Sequence, residues 1–339
     1  MITHTSDPID VVVTLDFSAR VLAAVAAVDP RIVVHHHPGG PGTSIPPELL
    51  RRAEILYSSD ALPGREQAPG LRWVQLDTSG IDHVRDSALW DSDVIITTLG
   101  GISPAPLAEW VMMMVLAHAH HLRETERLQA EHRWPTRAER WSQLMPRDLR
   151  AATLGIVGYG RIGHALAARA RAFGMTVVAT RRDPHSPPAD RHGTLDDIPE
   201  VRVMASSDLN ELLGMSDYVA LTVPLTAETR GMLGADAIAN TRRGAVIINA
   251  SRGGIVDEPA LLAALDGGAI DLVVSDVFDE EPLPADSPWW SHPRSVVTPH
   301  VAGFAPDYED AVTALFTENL RRYVHGEPLL NVADRTRGY

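Results

Sequence analysis

One decapeptide constrains this chain more than any other part of it. Leu154 to Gly163 reads LGIVGYGRIG, an apolar run that passes directly into Gly158-x-Gly160-x-x-Gly163. The pattern is that of a strand entering a phosphate-binding turn. Gly158 is needed for the tight turn, Gly160 so that backbone can approach a pyrophosphate, and Gly163 so that the following helix can pack close on the strand. HALAARARAF then has helical apolar spacing and stops at Gly174, and MTVVAT supplies a second apolar strand. Strand, glycine turn, helix and strand make one βαβ unit of about 30 residues.

Where that second strand ends, dinucleotide sites of the NAD type carry an acid that accepts hydrogen bonds from the adenosine ribose. This chain has Arg181 and Arg182 there, in VVATRRDP. A guanidinium cannot accept those bonds but pairs well with a phosphate, so the sequence points to NADP(H), with NAD(H) as the lesser cofactor. The alternative is a solvated Arg-Arg turn, with Asp183 taking the ribose two positions further on.

The rest of the chain limits what such a unit can serve. At 339 residues it suits two domains rather than one. A formal net charge of −14 argues against a surface that gathers nucleic acid or anionic membrane. There are no cysteines, so disulfides, thiolate metal sites and thiol nucleophiles are excluded. MITHTSDPID does not resemble a signal peptide, and the longest apolar stretch, WVMMMVLA, falls short of the roughly 20 residues of a membrane span. The cytoplasm is the expected compartment.

Five short apolar runs, DVVVTLD, RIVVHHH, AEILYSS, LRWVQLD and DVIITTL, predict a largely parallel α/β unit before the glycine turn. One long helix is expected from about Pro106 to Ala130 and another from about Pro306 to His325. Pro-rich stretches at 38–47 and 184–190 are expected to be surface loops. No metal site is expected. His35, His36 and His37 alternate faces on a strand, and among His118, His120 and His121 only the first and last share a helical face, which is expected to be solvated or at an interface. The Met112 to Met114 run is expected to serve helix packing.

Three side chains follow apolar strands downstream: Arg252 in AVIINASRGGIVD, Glu281 in LVVSDVFDEEPLP and His300 in VVTPHVAGF. Ligands of open α/β sheets bind outside the carboxyl ends of strands, so the three should face one site. Reduction of a keto acid needs a cation for the carboxylate, an acid to protonate the oxygen, and a group that keeps that acid protonated. Arg252, His300 and Glu281 are those types, because a carboxylate beside an imidazole favours the imidazolium.

The set GYGRIG, LTVPLTAETRGML, NASRGGIVDEPALLAAL, SDVFDEEPLP and TPHVAGF, in that order, resembles the D-isomer-specific 2-hydroxyacid dehydrogenase family. The likeness is strong from Leu154 to Gly303, and LDTSGIDHV and GEPLLNV extend it more weakly. The resemblance implies that Arg252, Glu281 and His300 are catalytic, with His300 the proton donor in reduction. It implies that Asp276 meets the nicotinamide carboxamide and that Arg161 and Ile162, within the glycine turn, lie over the pyrophosphate. Pro224, Thr229, Ala250, Ser251 and Gly303 would line the cofactor, and Ser79-Gly80-Ile81 would hold the substrate carboxylate through backbone amides. Arg181 in place of the acid is similar to the NADPH-preferring glyoxylate and hydroxypyruvate reductases of the family.

The expected fold is therefore α/β in two domains. A Rossmann-type dinucleotide-binding domain, 104–303, is inserted in a smaller flavodoxin-like substrate domain, 1–103 and 304–339. A homodimer is expected, with the helix carrying WVMMMVLA in its interface. The alternatives left open are an NAD-dependent D-2-hydroxyacid or 3-phosphoglycerate dehydrogenase and, from another class, a cofactor-sensing corepressor-like binding protein.

Overall fold

Parallel strands built from the apolar runs organise the whole chain. The computed structural model describes residues 7–39, 44–59, 62–185, 189–190, 193–194 and 201–338. It divides into two compact units, Met1–Ile102 with Ala305–Tyr339, and Ser103–Phe304.

The first unit opens with β1 (Ile9–Val13), α1 (Ala19–Ala26), β2 (Ile32–His36), α2 (Pro47–Arg52), β3 (Ile55–Ser58), β4 (Trp73–Leu76) and β5 (Ile95–Thr97). The five strands form an all-parallel sheet ordered β2-β1-β3-β4-β5, the flavodoxin-like arrangement. Strands covered on both faces read as continuous apolar runs rather than alternating ones, and β3 and β4 are buried at every position. His35 and His36 leave β2 to separate partners, the Asp10 carboxylate at 2.6 Å and the Leu15 carbonyl at 2.8 Å. Among the described residues no group of three metal-ligating side chains gathers.

The second unit begins at α3 (Pro104–Ala119), followed by α4 (Leu122–Ala130) and α5 (Arg137–Gln143). The single helix expected from Pro106 to Ala130 is thus two helices. His121 takes left-handed backbone angles, φ 53°, which end one helix and start the next. His118 is not on a solvated face either. Its ring lies between the Tyr218 hydroxyl and the Asp271 carboxylate, each at 3.1 Å, and Arg147 reaches the same carboxylate at 2.6 Å. Met112 is buried, as expected of helix packing, whereas Met113 is half exposed.

The parallel sheet of this unit comprises β6 (Thr153–Val157), β7 (Thr176–Arg181), β10 (Arg202–Ala205), β11 (Tyr218–Leu221), β12 (Ala245–Asn249), β13 (Ile270–Ser275) and β14 (Ser295–Val297), ordered β10-β7-β6-β11-β12-β13-β14. A two-residue pair, β8 (Ala189–Asp190) and β9 (Gly193–Thr194), stands apart from it. The sheet is layered with α6 (Arg161–Ala172), α7 (Leu209–Met215), α8 (Ala235–Ala239), α9 (Glu258–Asp266) and the short α10 (Pro288–Ser291). Ala108, Val111, Val115, Leu166, Ala167 and Ala170 of α3 and α6 share a buried cluster with Leu154 and Ile156 of β6. Full burial of each of the larger aliphatic side chains there contributes about 1.5–3 kcal/mol.

The chain then returns to the first unit through α11 (Tyr308–His325), whose Val312, Phe316 and Leu320 enter the core beside Val11, Val13, Ile55 and Trp73. In its first turn Tyr308 donates to the Asp77 carboxylate at 2.7 Å, and Tyr57 donates to the same oxygen at 3.3 Å. Burial nonetheless pushes the Asp77 carboxyl above its usual range. Of the two Pro-rich stretches, residues 40–43 and 186–188 lie outside the described residues. Among the described residues no helix is long and apolar enough to cross a membrane.

Candidate active site

The glycine turn sits where β6 gives way to α6, and each glycine meets a different demand. Gly158 has φ +103°, a conformation that L side chains rarely adopt, and a β-carbon there would stand 2.7 Å from Val223 Cγ1. A β-carbon on Gly163 would lie 2.5 Å from the Gly158 carbonyl oxygen, so only glycine lets the helix come this close. At Gly160 a β-carbon would meet nothing within 4 Å. Packing does not require glycine at this position, and the space beside its backbone is open to a ligand. Gly160 caps α6, and Arg161 and Ile162 open its first turn, the end of a helix whose dipole and amides favour a phosphate. The residues present therefore fit a pyrophosphate.

The turn is fastened on both sides. Gly158 and Tyr159 both donate to the Thr180 carbonyl, at 3.1 and 2.8 Å, and Thr222 Oγ1 donates to the Gly158 carbonyl at 2.8 Å. Thr180 directly precedes Arg181, the last residue of β7, so the phosphate turn and the arginine pair are held on one short backbone bridge. Arg181 is half-buried and Arg182 exposed. Asp183 uses Oδ1 to accept the His185 amide at 3.0 Å.

The loop after β11 carries Pro224 and Thr229, and Thr229 Oγ1 donates to the Pro224 carbonyl at 2.6 Å, which closes it as a small turn. After β12, Ala250 and Ser251 are buried and Arg252 is half-buried. Asn249 shapes this loop by accepting from the Ser251 amide and hydroxyl at 3.1 and 2.7 Å and donating to the Arg252 carbonyl at 3.2 Å. Arg252 Nη1 donates to the Ser251 carbonyl at 2.7 Å.

His300 and Glu281 meet. His300 Nδ1 lies 2.7 Å from Glu281 Oε2, while Glu281 Oε1 accepts the Phe278 amide at 2.9 Å. The carboxylate is thus fixed by its own turn and aimed at the ring. His300 has φ 54°, in the left-handed region. Asp276, buried at 3% exposure, holds that unusual loop: Oδ1 accepts Thr298 Oγ1 at 2.5 Å and the Val301 amide at 2.9 Å, and Oδ2 accepts the Ala302 amide at 2.9 Å. The family resemblance points Asp276 toward the nicotinamide carboxamide and does not reveal this anchoring of the histidine loop. Gly303 follows directly, and a β-carbon on it would meet no atom closer than 3.8 Å.

In the first unit, Ser79 is exposed, Gly80 half-buried and Ile81 buried at 2%. Ile81 plugs the loop into a core with Val12, Leu56 and Val74, while Thr78 Oγ1 donates to the Gly80 carbonyl at 2.7 Å.

Comparison with known proteins agrees with this architecture. Residues 112–302 match the family model for the D-isomer specific 2-hydroxyacid dehydrogenase NAD binding domain. Glyoxylate/hydroxypyruvate reductase B of Salmonella newport is 33% identical over 83% of this chain and 86% of its own length. D-3-phosphoglycerate dehydrogenase of Methanocaldococcus jannaschii is 31% identical over 79% of this chain, which spans about half of that relative's length (48%). The crystal structure of a D-isomer specific 2-hydroxyacid dehydrogenase from Xanthobacter autotrophicus Py2, in complex with NADPH and MES, superposes with a TM-score of 0.81 at 31% identity, covering 98% of this chain and all of that one. The chain belongs to the D-isomer specific 2-hydroxyacid dehydrogenases, a family of NAD(P)-dependent oxidoreductases.

Proposed function

We propose that this protein reduces a small 2-keto acid, glyoxylate or hydroxypyruvate, to the D-2-hydroxy acid, with NADPH as the preferred reductant. The observation that carries the reading is the His300–Glu281 pair, set on the loops that follow β14 and β13. The dinucleotide, when bound, supplies the hydride. Gly158, Gly160, Gly163 and the opening of α6 at Arg161 and Ile162 hold its pyrophosphate, and Arg181 and Arg182 take the 2′-phosphate. Pro224, Thr229, Ala250, Ser251, Asp276 and Gly303 line it.

Arg252 pairs with the substrate's carboxylate, and the Ser79-Gly80-Ile81 loop offers backbone amides suited to a carboxylate. Glu281 engages His300 Nδ1, which fixes the ring and leaves Nε2 as the atom that delivers a proton to the carbonyl oxygen. The NADPH-complexed structure from X. autotrophicus and the Salmonella reductase support cofactor and substrate class respectively.

The test is an initial-rate panel of glyoxylate, hydroxypyruvate, pyruvate and phenylpyruvate with NADPH and with NADH. The highest kcat/KM is expected for one of the first two with NADPH. Cofactor binding without turnover of any keto acid would instead make the chain a nucleotide-sensing binding protein.

We also propose a homodimer assembled through α3. An apolar groove of about 640 Å³ lies on this unit, lined by Met112, Met113, Leu116, Leu122 and Phe173 with the Arg169–Glu109 ion pair at 2.7 Å in its wall. Light scattering at micromolar concentration should give about twice the 36.8 kDa chain mass. A value of 36.8 kDa overturns the assembly.

A further inference from the structure

The loops that carry Arg252 and Glu281 touch backbone to backbone. A β-carbon on Gly253 would fall 2.0 Å from the Phe278 carbonyl oxygen, so the residue after the arginine must be glycine for the two loops to close on each other. At this contact the side chain of Asp279 crosses from one loop to the other: Oδ1 accepts the Gly254 amide. The Asp279 amide is in turn held by Glu258 Oε1 at 2.8 Å, and Glu258 Oε2 accepts Trp289 Nε1 at 2.9 Å. One residue earlier, the Phe278 amide holds Glu281. A single turn, Phe278 to Glu281, therefore grips the arginine loop with one carboxylate and orients the histidine's partner with another.

We propose that Asp279 is a positioning residue: by accepting the Gly254 amide it sets where Arg252 stands relative to the Glu281–His300 pair. This rests on the catalytic reading of those three residues given above. Asp279 acts through a hydrogen bond and touches neither substrate nor cofactor. Glu258 is its support, because it fixes the backbone from which the Asp279 side chain departs. Asp279 is exposed, so its replacement opens no cavity and leaves the fold intact.

The experiment compares Asp279→Ala, Asp279→Asn and, as a neighbour of like charge, the exposed Glu280→Gln. Asparagine keeps an oxygen that can accept the Gly254 amide; alanine does not. D279A should raise KM for glyoxylate about tenfold, with a smaller change in kcat, because one charge-assisted hydrogen bond is lost. D279N and E280Q should both stay near wild type. Hydrogen exchange of the segment 252–256 should quicken in D279A and return to wild-type rates in D279N. Wild-type KM and exchange in D279A overturn the proposal, and so does a D279N enzyme as impaired as D279A. If the wild-type protein reduced no keto acid, the proposed activity would fall, while the exchange comparison would still decide whether Asp279 clamps the arginine loop.

Discussion

His300 Nδ1 and Glu281 Oε2 stand 2.7 Å apart although the two side chains leave loops behind different strands, β14 and β13. The adjacency of those strands in the sheet brings them together across 19 residues of chain. Removing the acid itself should therefore be costly. His300→Ala is expected to lower kcat/KM for the best keto acid by about 10² to 10⁴-fold, the usual contribution of a positioned proton donor, and Arg252→Ala by roughly ten- to over a hundredfold through the lost charge-assisted hydrogen bond to the carboxylate. Cofactor binding, followed by nucleotide fluorescence, should survive. Near-normal reduction by His300→Ala would remove His300 from the role of proton donor.

Glu281→Gln keeps the shape of the pair and removes its negative charge. The ring then loses the charged partner held 2.7 Å from Nδ1, so kcat for reduction should fall by about tenfold or more while cofactor binding is retained. A kcat equal to that of the wild type would show that the two groups do not communicate during turnover.

Cofactor choice should reside in Arg181 and Arg182. NADPH is expected to give the higher kcat/KM, and Arg181→Asp with Arg182→Ala should reverse the order. A charge-assisted hydrogen bond contributes about 1.5–3 kcal/mol, so NADPH should weaken by roughly ten- to over a hundredfold. The new carboxylate accepts ribose hydroxyls and repels a 2′-phosphate. Added salt should weaken NADPH binding more than NADH binding. Equal use of the two nucleotides by the wild type would count against the pair as a phosphate site.

Asp77 offers a test on stability. Burial raises its carboxyl above the ordinary range despite two tyrosine donors, so the folded state holds that proton more tightly than the unfolded chain does. Stability from this group is present below the unfolded carboxylate pKa, about 3.9, and is lost as pH rises through the folded value. Asp77→Asn retains an oxygen for Tyr308 and never ionises. Its urea midpoint should match the wild type in acid and exceed it at neutral pH, and a neutral-pH midpoint below the wild type would contradict this account.

The parallel sheets were legible because strands buried on both faces have to be written as runs such as AVIIN and DLVVS. The glycine turn was legible because Gly158 and Gly163 answer to backbone geometry that only glycine satisfies. The break at His121 was not, since nothing in the apolar spacing of HAHHLRE separates a continuous helix from two helices joined by one left-handed residue. The anchoring of the histidine loop by Asp276 was also hidden. An aspartate after an apolar strand looks the same whether it faces a ligand or accepts the amides of a loop 25 residues further on. The clamp at Asp279 escaped for a related reason: in DEE the three acids look alike, and only the close approach at Gly253 distinguishes the first of them.

The left-handed backbone at His300 makes that position answer to two demands that favour different residues. For a side chain at φ 54° the tolerant choices are glycine, asparagine and aspartate, with histidine admitted more readily than most. A library randomised at this codon and sorted for thermal resistance should therefore enrich glycine and asparagine, whereas the same library sorted for turnover should return histidine. The gap between the two outcomes would measure how much conformational stability the enzyme forgoes to keep an imidazole there.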